Sequence, residues 1–140
     1  MKLKAIAAVL SVAVLGACDG VGSPSGNFLS VNRMHVVPTS DPARFEVLAQ
    51  PGSAGPDFFC AAADYADRRL NASPADRVVL TRPVARNPDT GRRSGLFTVA
   101  PNGSVAPTRS ITISTRQAGE NMQIAHARSL CNDPTRGTFD

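Results

Sequence analysis

The first eighteen residues decide how much chain is left to fold. Lys2 and Lys4 charge the extreme N-terminus, Ala5 to Leu15 is apolar except for Ser11, and the small residues Gly16 and Ala17 precede Cys18. This is the three-part layout of a secretory signal. The apolar run falls short of the ~20 residues a helix needs to span a bilayer. A buried core helix would not carry charge only at its first turn, nor sit at the very start of the chain. A leader over residues 1–17 leaves 123 of the 140 residues to fold, one domain's worth with a modest core.

The stretch Leu15-Gly16-Ala17-Cys18 resembles the lipobox of bacterial lipoproteins. The resemblance covers the leader and the anchor site alone. It implies that the Cys18 thiol takes a diacylglycerol, that the leader is cut off just before it, and that the new N-terminus is acylated. The protein would then be held on the periplasmic side of the cell envelope. Each buried methylene is worth about 0.8 kcal/mol and a single acyl chain holds only marginally, so two or three chains on one residue make the attachment stable. Asp19 follows the anchor; in enteric lipoproteins an acidic residue there goes with retention at the inner membrane, which tilts the expectation away from the outer one. An ordinary secretory signal with a chance Cys18 is the alternative. A second resemblance joins FFCAAADYADRRL, residues 58–70, to ARSLC, residues 127–131. The pair is similar to small uncharacterised envelope proteins of alphaproteobacteria, and it implies no activity.

Lipidation would use one of the three cysteines. Cys60 and Cys131 then remain in an oxidising compartment, where thiols pair. A bridge between them closes a loop of about 70 residues, worth about 4 kcal/mol in the chain-entropy account. Without the leader every basic residue is an Arg, thirteen against eleven acidic residues, so the net charge falls from +4 to +2. That small excess is no electrostatic footprint for nucleic acid.

The Gly-, Ser- and Pro-rich residues 19–27 read as a tether between the anchor at Cys18 and a single domain over 28–131. Phe28 to Val37 predicts a first strand and Ala43 to Gln50 a second, with Phe45, Val47 and Ala49 on one side. Asp57 can cap a helix running to Leu70, with Phe59, Ala62, Ala63, Ala66 and Leu70 as its apolar stripe, Cys60 on the shoulder and Asn71 suited to the left-handed residue after it. Asp64, Tyr65, Asp67 and Arg68 are expected on the solvated face. Arg77 to Arg86 predicts a strand whose second half, from Pro83, lies at an edge or a bulge. A turn over Asn87 to Ser94 leads into a strand at Leu96 to Ala100, and Asn102-Gly103 marks another turn. Ser110 to Thr115 alternates cleanly, with Ile111 and Ile113 expected inward. Gln117 to Cys131 predicts a short second helix, and residues 132–140 a frayed tail. The sum is an α+β domain: an antiparallel sheet of about five strands, the 57–70 helix on one face, and a C-terminal helix pinned to it by Cys131.

Motifs that carry chemistry are sparse. Cys60 with His126 could act as nucleophile and base only if the thiol were free. His35, His126, Cys60 and Cys131 lack the spacing of a metal site. No phosphate loop, nucleophile elbow or carboxylate pair stands out, so the sequence assigns no catalytic residue, metal or cofactor. Two glycosylation-type triplets, at Asn71 and Asn102, fit poorly with a bacterial anchor. Arg92 and Arg93, with Arg86 beside them, could meet anionic head groups, each basic residue near such a surface being worth about 1 kcal/mol. The expected function is that of a membrane-anchored binding or structural module with an envelope protein as partner. A small periplasmic hydrolase or thiol enzyme, and a secreted inhibitor, are the alternatives.

Overall fold

The computed structural model describes residues 26–132. The leader, the anchor at Cys18, most of the tether and the tail from residue 133 lie outside the described residues. The elements are β1 (Phe28–Leu29), β2 (His35–Pro38), β3 (Arg44–Leu48), α1 (Gly55–Leu70), β4 (Arg77–Arg86), β5 (Arg93–Ala100), β6 (Asn121–Gln123) and α2 (Ile124–Ser129), followed by a 3-10 turn at Leu130–Asn132. The strands form one sheet in the order β1-β2-β3-β5-β4-β6, every pair antiparallel. This is the expected α+β class. No helix among the described residues is long and apolar enough to cross a membrane.

The core lies between α1 and one face of the sheet. Alternation along β3 and β4 puts Phe45, Val47, Val78 and Leu80 on that face, and Phe97 of β5 sits directly across from Phe45 and Leu80. From the helix side, Tyr65 meets Phe45 at 4.6 Å between ring centroids, and Phe59 meets Phe97 edge-on at 5.4 Å. Ala61, Ala62, Ala63 and Ala66 let the helix approach the sheet closely. The helix starts two residues earlier than expected. Ala54 is the N-cap, and Asp57, in the first turn rather than at the cap, accepts the Ala54 N–H at 2.8 Å. Asn71 ends it in the left-handed conformation, φ 51°, as its identity suggested. The disulfide joins Cys60 to Cys131, with 5.2 Å between the Cα atoms, and ties α1 to the C-terminal turn.

Three expectations give way. The first strand is split by a tight turn at Ser30–Met34, where Arg33 takes φ 65° and Ser30 and Met34 pair across it at 3.0 Å. Ser110 to Thr115 is not a strand, and Ile111 is fully exposed. The reason lies in β4, whose register shifts between Leu80, Arg82 and Ala85, with Pro83 offering no N–H. That outer edge cannot template a regular partner. It holds the passing segment through isolated bonds, Val84 N–H to Thr115 O at 2.9 Å and Leu80 N–H to Glu120 O at 2.8 Å. Where β4 is regular again, Arg77 to Val79 recruit Asn121 to Gln123 as β6, so the C-terminal helix begins only at Ile124.

Candidate functional site

Val84 of β4 and Arg93 of β5, either side of the hairpin tip, share a cleft with the start of α1. The tip is a defined turn: Asn87 N–H donates to Arg92 O at 2.7 Å, and Gly91, at φ 67°, donates to Asn87 O at 2.8 Å. Arg86 braces it by donating from Nη1 to the Gly91 carbonyl at 2.7 Å. In register, Arg86 stands directly opposite Arg93. Arg92 sits exposed on the turn.

Arg93 lines a cleft of about 480 Å³ together with Ser53, Ala54, Gly55, Val84 and the segment Thr112–Arg116. Its walls are held by backbone bonds, Ala49 N–H to Arg93 O at 2.8 Å and Val84 N–H to Thr115 O at 2.9 Å. Gly55 is required where it stands, because a Cβ there would lie 2.1 Å from the Ile113 carbonyl oxygen. Among the described residues no carboxylate lines the cleft. Among the described residues neither Arg93 nor Arg116 is in an ion pair. Ser114 Oγ accepts the Arg116 N–H at 3.2 Å, and Ser53 Oγ accepts the Gln50 N–H at 2.9 Å. The structure thus keeps Arg86 and Arg93 of the sequence-derived trio near one another, leaves Arg92 out of the cleft, and adds Arg116. That addition comes from a segment expected to be a strand, with no local signal to place it beside Arg93.

The other candidates fare differently. Cys60 is buried and in a disulfide, so it offers no thiolate to His126, which is exposed on α2. His35 is half-buried on β2, its Nδ1 without a hydrogen-bond partner among the described residues. No group of three His, Cys, Asp or Glu side chains suited to a metal ion occurs among the described residues.

The expectation of a solvated face at Asp64 and Tyr65 is overturned, since both are buried. Asp64 Oδ2 accepts the Val31 N–H at 2.9 Å and Arg68 Nη1 at 3.1 Å, and Arg128 of α2 comes within 3.6 Å of Oδ1. Arg128 also pairs with Asp67. The only sequence signal was the i,i+4 spacing of Asp64 and Arg68; the partners from β1–β2 and α2 are tertiary. Beside them a smaller cleft of about 350 Å³ is lined by Asp67, Ile124, Arg128 and Asn132 among others, with Asp67 and Arg128 paired to each other.

A third polar group lies on the open sheet face. Arg82 Nη2 donates to Glu46 Oε1 at 2.8 Å and to Ser94 Oγ at 3.1 Å, and Ser94 in turn donates to Glu46. Burial pushes the Glu46 pKa up, but the hydrogen bonds from Ser94 and Arg82 and the Arg82 charge outweigh it and hold the carboxyl below its usual range.

Fold and cleft together define an α+β domain with an arginine-lined pocket at one end. The chain matches no family model, and neither the curated proteins nor the solved structures contain a match to it.

Proposed function

We propose that this chain is a lipid-anchored protein of the cell envelope whose domain acts by binding. The observation that carries the reading is the Cys60–Cys131 disulfide. A structural disulfide belongs to an oxidising compartment. With those two cysteines paired, Cys18 is the odd one, and it stands immediately after an apolar leader. A Gly- and Ser-rich linker of nine residues spans about 15–18 Å on average, and with residues 19–27 in that role the domain works close to the bilayer on the periplasmic side. Its partners are the membrane, through the anchor, and an anionic or envelope-borne ligand. The thiol-enzyme alternative loses its nucleophile to the disulfide.

The experiment is Cys18→Ser with membrane fractionation and intact mass. The native chain is expected in the membrane fraction, cut before Cys18 and heavier by its acyl groups. The variant is expected as uncut precursor or as released protein. A Cys18→Ser protein that is still processed and still membrane-bound would show the reading to be wrong, and a native chain found soluble would favour the secreted-inhibitor alternative.

A further inference from the structure

We propose that the cleft between Arg93 and Arg116 is a binding site for a phosphate-bearing small molecule. Positive charge is unbalanced here among the described residues. Arg86 and Arg93 are directly opposite each other on adjacent strands, and like charges in that position are destabilising. Arg116 adds a third guanidinium from the segment that closes the cleft. Among the described residues no acidic side chain lines the pocket, and the Arg86 contact is to the neutral Gly91 carbonyl. An oxyanion placed between Arg93 and Arg116 relieves the repulsion, and guanidinium groups meet phosphoryl oxygens with paired, charge-assisted hydrogen bonds.

The rest of the lining fits the same ligand. Among the described residues the hydroxyls of Thr112 and Thr115 make no protein hydrogen bond, and Ser114 accepts one but keeps its own proton to donate. They supply neutral donors for the remaining oxygens. The pocket falls within the ~300–1,000 Å³ typical of small-molecule sites and is far larger than a bare phosphate ion. Val84 and Ile113 give it an apolar wall. That combination suits a phosphomonoester, with the phosphoryl group on the arginines and the organic part against the two aliphatic side chains. The start of α1 adds little, because the Asp57 carboxylate already accepts the Ala54 N–H there.

The inference rests on the domain being a binding module but not on its anchor, so the two fail separately. The test uses the native mature protein in detergent micelles, observed by amide and guanidinium NMR at fixed ionic strength, with chloride as the control anion. Inorganic phosphate and glycerol 3-phosphate are titrated in turn. Saturable shifts are expected at Ser53–Gly55, Arg93 and Thr112–Arg116, with glycerol 3-phosphate the tighter ligand. Arg93→Gln and Arg116→Gln should each weaken binding about tenfold or more, the loss of one charge-assisted pair, while Arg92→Gln leaves it unchanged. Shifts in the native protein that never saturate would overturn the site, whatever the variants do. Equal losses in Arg92→Gln and Arg93→Gln would also overturn it, since a diffuse surface field would explain them. A further arm adds phosphatidylcholine vesicles containing phosphatidic acid. If they displace glycerol 3-phosphate, the phosphate comes from a lipid headgroup; if they do not, it comes from a soluble metabolite. Either result requires the saturable site.

Discussion

The two ends of α1 treat charge in opposite ways. Along its C-terminal half, Asp64 and Asp67 are matched by Arg68 and Arg128, the Val31 N–H closes the set, and the Cys60–Cys131 disulfide lies one turn away. Three separate pieces of chain meet there, and both aspartates are matched by arginines. At the N-terminal start, Arg93 and Arg116 line a cleft with no carboxylate among its described lining residues, and Arg86 stands across the strands from Arg93. One end is arranged to hold the fold together. The other sets arginines around a cleft with no carboxylate among its described lining residues, and such local violations are where function is to be sought.

The largest test of this contrast is Asp64→Ala. It leaves two guanidiniums without their buried carboxylate and the Val31 N–H without its acceptor. No buried charge is left behind, because the Arg68 and Arg128 side chains are 53% and 43% exposed and can turn to water. The cost expected is that of a donor left without its acceptor, about 1–3 kcal/mol. Urea denaturation of the variant against the native domain gives the figure directly. A loss under about 1 kcal/mol, the level of a surface ion pair, would mean that this end is held by the disulfide and packing, and the comparison would collapse.

What the sequence revealed follows the range of the forces involved. The helix ending at Leu70, its Asn71 terminus and the alternation of Phe45 and Val47 are local patterns and appear as read, although the helix begins two residues early, at Gly55. The bulge at Pro83 was also legible, since a missing N–H is a property of one residue. Its consequence was not. Ile111 and Ile113 alternate as a strand should, yet the broken edge of β4 gives them nothing to pair with, and Ile111 is left in solvent. Asp64 was missed for a related reason. Its helical position shows one salt-bridge partner at i+4, while burial depends on Val31 and Arg128, 33 residues before it and on α2 after it. Arg116 joins Arg93 only because the irregular segment passes the start of α1. Composition marked neither residue.

The Glu46–Arg82–Ser94 group lies between the two extremes, paired but on the partly exposed sheet face. Its carboxyl has a folded-state pKa below the ordinary value of 4.5. The stability it adds is therefore present above pH 4.5 and lost as the pH falls through the lower folded value. Glu46→Gln is expected to cost about 0.2–1 kcal/mol at neutral pH, as other partly exposed pairs do. The gap between native and variant proteins should close on acidification below pH 4.5. A gap that stays constant from pH 7 to pH 3 would show that the carboxylate charge is not what Arg82 and Ser94 hold.

The smallest effect is expected at Arg93, and its sign is the sharpest part of the comparison. Removing a charge at the sealed end destabilises, whereas removing one at the open end should do the reverse. Arg93→Gln keeps most of the side chain's length and hydrogen-bonding capacity but ends the repulsion across the strands from Arg86. Cross-strand pairs are worth roughly 0.2–1 kcal/mol, and both arginines are exposed, so a gain of about 0.2–0.5 kcal/mol is expected at low salt. At 1 M salt the Debye length shrinks to about 3 Å and the gain should vanish. Phosphate then separates a structural arginine from a binding one. A ligand that binds only the folded state raises its stability by mass action, so glycerol 3-phosphate should stabilise the native domain more than the variant and reverse their order. If Arg93→Gln destabilises at every salt concentration, the arginine is serving the fold, and the open end of α1 is no different in kind from the sealed one.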